Sequence, residues 1–374
     1  MLFTQYTGDP MKHVMLFLPV LITCTGVSAA QDPRHDGAPT PDIPAFVDRL
    51  DSLRLAAHIP GLSVAVVRNQ ALVLALGLGY ADVEHRIPAT AETPYDIASV
   101  AKPLSAVVAL RLVETGVLDL DRPMAGYSEW AGFCTDFSRQ PSIFARELRC
   151  QPATHTLRHL LSHTATSTPG NHFSYNPVLY SWASRPIMAA ADTPFSALVE
   201  RHVFAPAGMT RSARKHRDLP LREDLARLLA PPHRVGPSGI IERAPAQPPQ
   251  GDGAAGGVIT TVLDLARFDV ALDQGVLIEA ESREAMMTPS RSSNGEALPY
   301  GLGWYVQEYQ GRTLVWHSGW WEDAYSALYL KLPALNLTFI VLANSEGVWW
   351  DNPLDQAEVQ RSEFAQAFLQ AFVE

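Results

Sequence analysis

Apolar positions along the chain switch between a helical and a strand-like period. Phe46, Leu50, Leu53 and Leu55 repeat at a broadly helical spacing that ends at Pro60-Gly61. Leu62 to Val67 and Ala71 to Leu78 are then two β-rich runs joined by Arg68-Asn69-Gln70, which predicts a hairpin. Near the other end, residues 300–309, 312–317, 324–332 and 337–342 read as four more strands, followed by a helix over about 355–373. The long stretch between is dominated by helical patterning and interrupted by prolines at 231–232 and 245–249. Strands at both ends with helices between predict an α/β (α+β) fold. One sheet is assembled from both ends of the chain (about 45–98 and 262–374), and a helical subdomain (about 99–261) is inserted in it.

The pattern fails ahead of residue 45. Lys12 and His13 precede an apolar run from Val14 to Val27, and Ser28, Ala29 and Ala30 follow. This order predicts a cleavable secretory signal over 1–30. Residues 31–44 hold four prolines and no periodicity, which predicts a flexible lead-in. No later segment offers about 18 uninterrupted apolar residues, so the expectation is an exported protein, periplasmic or extracellular, with no membrane span. Beyond the signal, Cys134 and Cys150 remain. In an oxidising compartment they form a plausible disulfide, with two buried thiols as the other reading.

Composition adds an exclusion. Hydrophobic residues at 47% and charged residues at 18% are ordinary for a folded globule, while the net charge of −10, with no run of Lys or Arg, disfavours nucleic acid as a partner.

The candidate chemistry lies at Asp96-Ile97-Ala98-Ser99-Val100-Ala101-Lys102, which leads into Leu104, Val107, Val108 and Leu112 and ends at Gly116. This is an amphipathic helix with a serine in its first turn, and residues three apart share a face, so the Lys102 amine can reach the Ser99 hydroxyl. A buried lysine near the positive end of a helix would have a depressed pKa and could take the serine proton. The same helix start presents N–H groups to an oxyanion. Standing alone, the spacing is common by chance and reads first as a helix cap followed by a solvated lysine.

It does not stand alone. Asp96 to Lys102 resembles the active-site segment of the serine β-lactamase and penicillin-binding protein superfamily. Leu157 to Thr164 is similar to a signature of its class C and esterase-like branch. Gly256-Gly257 with Thr260, Asp264, Leu265 and Phe268, then Tyr300 to Trp304, then Leu342-Ala343-Asn344 resemble later landmarks in the expected order. The resemblance implies a β-lactamase-like fold with an antiparallel sheet flanked by helices. It also implies a Ser-x-x-Lys acyl-enzyme mechanism without metal or organic cofactor, acting on a small ester, amide or peptide. By the same resemblance Tyr175 shares proton transfer with Lys102. Pro177 stands where the family carries an asparagine, and Asn176 beside it is the candidate replacement for substrate binding. His317-Ser318-Gly319 matches the basic-small-glycine element at the cleft edge, and the N–H of Trp320 would be the second oxyanion donor. A histidine in place of lysine weakens binding of a substrate carboxylate. The glycine is read as letting the strand approach the substrate. These departures tilt the expected activity towards a carboxylesterase or a D-amino-acid or small-peptide hydrolase. The alternatives are a β-lactamase or DD-peptidase, and a penicillin- or cell-wall-peptide-binding sensor with negligible turnover.

Other signals carry less. His155, His159 and His163 fall four apart, as metal ligands on a helix would, but a cap at Thr156 leaves His155 outside, and they are read as a solvated or hydrogen-bonded face. Gly251 to Gly256 matches a dinucleotide-binding glycine pattern without the strand it needs. Neither Gly-x-Ser-x-Gly nor His-Glu-x-x-His occurs. Trp320-Trp321 and Trp349-Trp350 read equally as an apolar pocket wall or as core.

Overall fold

The computed structural model describes residues 41–374 except 151–153, 237–239, 246, 249 and 355, so the expected signal and nearly all of the lead-in lie outside the described residues. The first helix, α1 (Ile43–Ala56), takes in Ile43 and Pro44 from the expected lead-in. Asp42 caps it by accepting the Ala45 N–H, and proline is tolerated in a first turn because its missing N–H has no partner to lose.

The strands are β1 (Gly61–Arg68), β2 (Ala71–Asp82), β3 (Ile87–Pro88), β4 (Tyr95–Asp96), β5 (Ala213–Arg214), β6 (His233–Val235), β7 (Ile241–Arg243), β8 (Val258–Thr260), β9 (Tyr305–Tyr309), β10 (Arg312–Trp321), β11 (Tyr325–Leu332) and β12 (Leu337–Ala343). Seven form one antiparallel sheet in the order β3-β2-β1-β12-β11-β10-β9. The two chain ends meet where β1 pairs β12, from Leu62 opposite Ala343 to Arg68 opposite Leu337. The expected hairpin closes through Asn69 and Gln70, both at positive φ (52° and 62°), as a two-residue turn requires.

Both faces of the central strands β1, β12 and β11 are covered, and side chains alternate between them. Leu62, Val64 and Val66 of β1, with Leu337, Phe339 and Val341 of β12, join the core under α1 and the C-terminal helix Glu363–Phe372. There Phe46 meets Phe339 and Phe372 edge-on, and Phe339 stacks on Phe368. Ala65, Val67, Ile340 and Leu342 face the other core, which holds α2 (Ala101–Glu114). Burial on both sides is why these strands read as apolar runs.

Two expected elements are shorter than their patterns. The last helix starts at Glu363, because Ser362 caps it by accepting the Ala365 N–H. The strand expected from 300 starts at Tyr305, since Gly303 has φ +81° and Gly301 lies against the Met286 carbonyl, where a Cβ would sit 2.3 Å from that oxygen. The region expected to be helical also contains β5 to β8, and β8 joins β4 and β5 in a small sheet directly before the nucleophile.

Candidate active site

The site begins at the end of β4. The Asp96 carboxylate accepts the Ala98 N–H at 2.9 Å and the Trp321 indole N–H at 3.1 Å, clamping the chain as it turns. Burial pushes this carboxyl above its ordinary pKa, and those two hydrogen bonds pull it back. Ala98 sits at φ +46°, a left-handed conformation that costs an L-residue about 1–2 kcal/mol. A 3-10 turn, Ala98–Val100, then precedes α2, so Ser99 lies just ahead of the α-helix rather than in its first turn. In 3-10 geometry side chains three apart eclipse one another. Lys102 Nζ accordingly lies 2.7 Å from Ser99 Oγ.

α2 is buried on nearly every side, and Lys102 is 0% exposed. Its amine also donates to the Ala255 carbonyl at 3.3 Å and lies over the Tyr175 and Tyr180 rings, but it has no carboxylate partner among the described residues. Burial therefore holds its pKa well below that of a free lysine. Tyr175 donates its hydroxyl to Ser99 Oγ at 2.9 Å. Burial raises the phenol, and the Ser99 hydrogen bond lowers it by less. The two shifts have one cause: burial disfavours the charged form of each group, the ammonium of Lys102 and the phenolate of Tyr175.

Asn176, expected at the substrate, has both polar atoms of its side chain engaged in the fold. It caps the helix Pro177–Trp182, its Oδ1 accepting the Leu179 N–H at 3.0 Å, while its Nδ2 donates to the Phe144 carbonyl at 2.7 Å. The helix needs a cap, and the following Pro177 is suited to the first helical position. Pro177 itself lines the cavity.

His317 is also corrected. Its Nδ1–H donates to the Ser318 carbonyl at 2.7 Å, which leaves Nε2 to accept the Tyr300 hydroxyl at 2.9 Å. Burial, then the neighbouring Lys102, holds its pKa well below the usual imidazole range. It is a buried support within β10 and does not line the cavity. Gly319 is required by the fold itself. A Cβ there would lie 2.2 Å from the Ile97 carbonyl oxygen, so the glycine lets β10 dock against the turn that carries Ser99. Ser318 and Trp320 do line the cavity with Ser99.

Sequence reasoning missed His163. Its Nδ1 accepts the Asn176 N–H at 3.0 Å, and its ring centroid is 4.3 Å from that of Tyr175. Burial, with Lys102 and His317 nearby, keeps it neutral. It fixes the peptide that presents the Tyr175 phenol. Its place in the Leu157–Thr164 signature was the available signal, masked by the four-residue histidine spacing. That spacing does not make one face, because the helix ends at Leu161 and His163 has φ +55°. His155 contacts the Ala165 carbonyl and His159 accepts the Thr156 N–H; among the described residues no cluster of three or more metal-ligating side chains occurs.

The cavity beside Ser99 measures about 510 Å³ and is walled by Trp320, Trp321, Trp349, Tyr305 and Phe144. Trp350 instead packs on Trp316 in the core, so the tryptophans divide between the two roles. Cys134 and Cys150 are bonded, with Cα atoms 5.7 Å apart, and the loop they close delivers Phe144 to the cavity wall. No helix among the described residues is long and apolar enough to cross a membrane.

Known proteins align with this arrangement. Among curated sequences, Penicillin-binding protein 4* of Bacillus subtilis (strain 168) is 25% identical, covering 76% of this chain and 67% of its own. The chain spans between 60% and 67% of the length of the curated relatives it matches. The octameric penicillin-binding protein homologue from Pyrococcus abyssi superposes with a TM-score of 0.70 at 23% identity, covering 88% of this chain and 77% of that one. D-amino acid amidase from Ochrobactrum anthropi SV3 superposes with a TM-score of 0.67 at 18% identity, covering 87% and 99%. Both likenesses confirm the β-lactamase-like fold. Residues 44–360 match the sequence profile described as Beta-lactamase, and the chain therefore belongs to the Beta-lactamase family of serine hydrolases.

Proposed function

We propose that this protein hydrolyses small esters or amides through a Ser99 acyl-enzyme, as a carboxylesterase or a D-amino-acid or small-peptide hydrolase. The observation that carries the reading is the placement of Ser99 Oγ between a buried, unpaired amine at 2.7 Å and a phenol at 2.9 Å. Ser99 Oγ attacks the substrate carbonyl as its proton passes to the neutral Lys102 amine. The N–H groups of Ser99 and Trp320 hold the oxyanion. As the intermediate collapses, the Tyr175 hydroxyl protonates the leaving alkoxide or amine and recovers a proton from Lys102. Water then attacks the acyl-enzyme while the same pair takes its proton and returns one to Ser99.

A β-lactamase or DD-peptidase is the second reading, favoured by the names of the penicillin-binding relatives. The neutral, buried His317 weighs against it, because those substrates bring a carboxylate that this histidine cannot meet. Support for amide turnover comes from the D-amino acid amidase likeness. Export is part of the proposal, supported by the N-terminal apolar run and by a disulfide of the kind kept in oxidising compartments.

Hydrolysis of p-nitrophenyl acetate and butyrate by the protein and by Ser99→Ala tests the reading. Steady turnover that vanishes with Ser99 is expected. Turnover indifferent to Ser99 would sink the hydrolase, a burst without steady turnover would favour the sensor, and nitrocefin turned over as fast as the esters would favour the β-lactamase.

A further inference from the structure

The wall of the cleft is held rigidly. Trp320, 38% exposed, stacks on Trp349 with ring centroids 5.6 Å apart and donates its indole N–H to Glu346 at 3.0 Å. Trp321 is pinned by Asp96 at 3.1 Å. Large aromatic faces fixed in this way accept a flat or bulky apolar group with little ordering cost.

The lining of the cavity carries a single sign of charge. Glu322, exposed at the turn between β10 and β11, is the charged side chain among the residues lining the cavity, and it has no ion-pair partner among the described residues. Cations nearby are engaged elsewhere. Arg214 is held by Asp252 and by the Gly253 and Gly256 carbonyls, and Arg234 by Glu242 and Asp323. Lys102 is fully buried beside Ser99 and does not line the cavity, and His317 has both ring nitrogens occupied.

We infer that the cleft selects substrates by charge: it takes esters or amides with an aromatic or bulky apolar body that carries a cationic, amine-type group, and it discriminates against those carrying a carboxylate. The apolar body lies on Trp320, Trp349 and Tyr305, and the cation meets Glu322 and the open aromatic faces. A carboxylate in the same position meets an acid and no cationic side chain among the residues that line the cavity. The inference rests on the hydrolase reading and names the substrate class within it.

A test uses three methyl 3-phenylpropanoates of similar shape whose para substituent is isopropyl, trimethylammonium or carboxylate, so that charge does not vary with pH. The readout is each charged ester's kcat/KM relative to the neutral one, in the native protein, Glu322→Gln and Glu322→Lys. The cationic ester is expected to be preferred and the anionic one disfavoured, each by roughly up to fivefold, the range of an exposed charge pair. Glu322→Gln should collapse the spread, Glu322→Lys should invert it, and added salt should compress it. An unchanged spread in both variants, or a native preference for the anion, overturns the inference. Failure of the hydrolase reading looks different: the neutral ester then shows no turnover that depends on Ser99. In that event the affinities of the same three esters for Ser99→Ala read the charge order without chemistry, and equal affinities overturn the inference.

Discussion

Replacing Lys102 by methionine should make the protein more stable while abolishing its activity. The amine is fully buried without a carboxylate, so folding must strip its proton or leave an unpaired ammonium in the core. A free lysine titrates at 10.5. Removing its proton at pH 7 then costs up to about 5 kcal/mol, at 1.36 kcal/mol for each of the intervening pH units. Methionine fills a similar volume without that cost but forfeits the contacts to Ser99 Oγ and the Ala255 carbonyl, about 0.5–1.5 kcal/mol each. A net gain of at most roughly 2–4 kcal/mol at pH 7 remains. Its pH dependence has a definite sign. Because the folded-state pKa is depressed, the unfolded chain binds one more proton below pH 10.5, down to the folded-state value. Native stability in that window therefore rises with pH, and the advantage of Lys102→Met shrinks by up to about 1.4 kcal/mol per unit as pH increases. Urea unfolding of both proteins from pH 6 to 9, followed by tryptophan fluorescence, measures the gap. A methionine variant that is less stable at pH 7, or a gap that does not change with pH, refutes the account of Lys102 as a neutral base.

The other expectations follow from single contacts. Tyr175→Phe should lower kcat by about 10²–10⁴ while keeping the acid limb of the pH profile, since that limb belongs to Lys102; a shifted limb would assign the base to the tyrosine. Gly319→Ala puts a methyl 2.2 Å from the Ile97 oxygen and should cost about 1–3 kcal/mol in urea unfolding, with a loss of activity greater than that of an alanine at the solvent-facing Gln310. The double variant Cys134→Ser/Cys150→Ser should lose about 3 kcal/mol and raise KM for aromatic esters more than for acetate, because Phe144 is released from the wall; an equal rise for both would exclude that link.

The parts of the fold that the sequence disclosed are those where one local rule decides. Strands buried on both faces appear as apolar runs, and Asn69-Gln70 fits a turn that needs positive φ, so the sheet assembled from both ends was legible. Ser99 and Lys102 are neighbours because they are three apart on a tight helical turn, and the structure brings Tyr175 to the same oxygen. What escaped depends on partners distant in sequence. Nothing local to His317 tells that Tyr300 will take its second nitrogen. Nothing local to Asn176 announces that Phe144 needs its amide. His163 was legible as part of a signature, yet its contact with Tyr175 exists only after residues 164–174 fold back.

The loop closed by Cys134 and Cys150 has a further consequence for how such an enzyme changes. Its ends meet within 5.7 Å, it brings one aromatic wall to the cavity, and it carries none of the groups that handle the proton. The ring is thus a cassette for recognition with one tether to the proton machinery: a graft between the two cysteines that keeps the Phe144 carbonyl on the Asn176 amide would reshape what is recognised and leave Tyr175 in place.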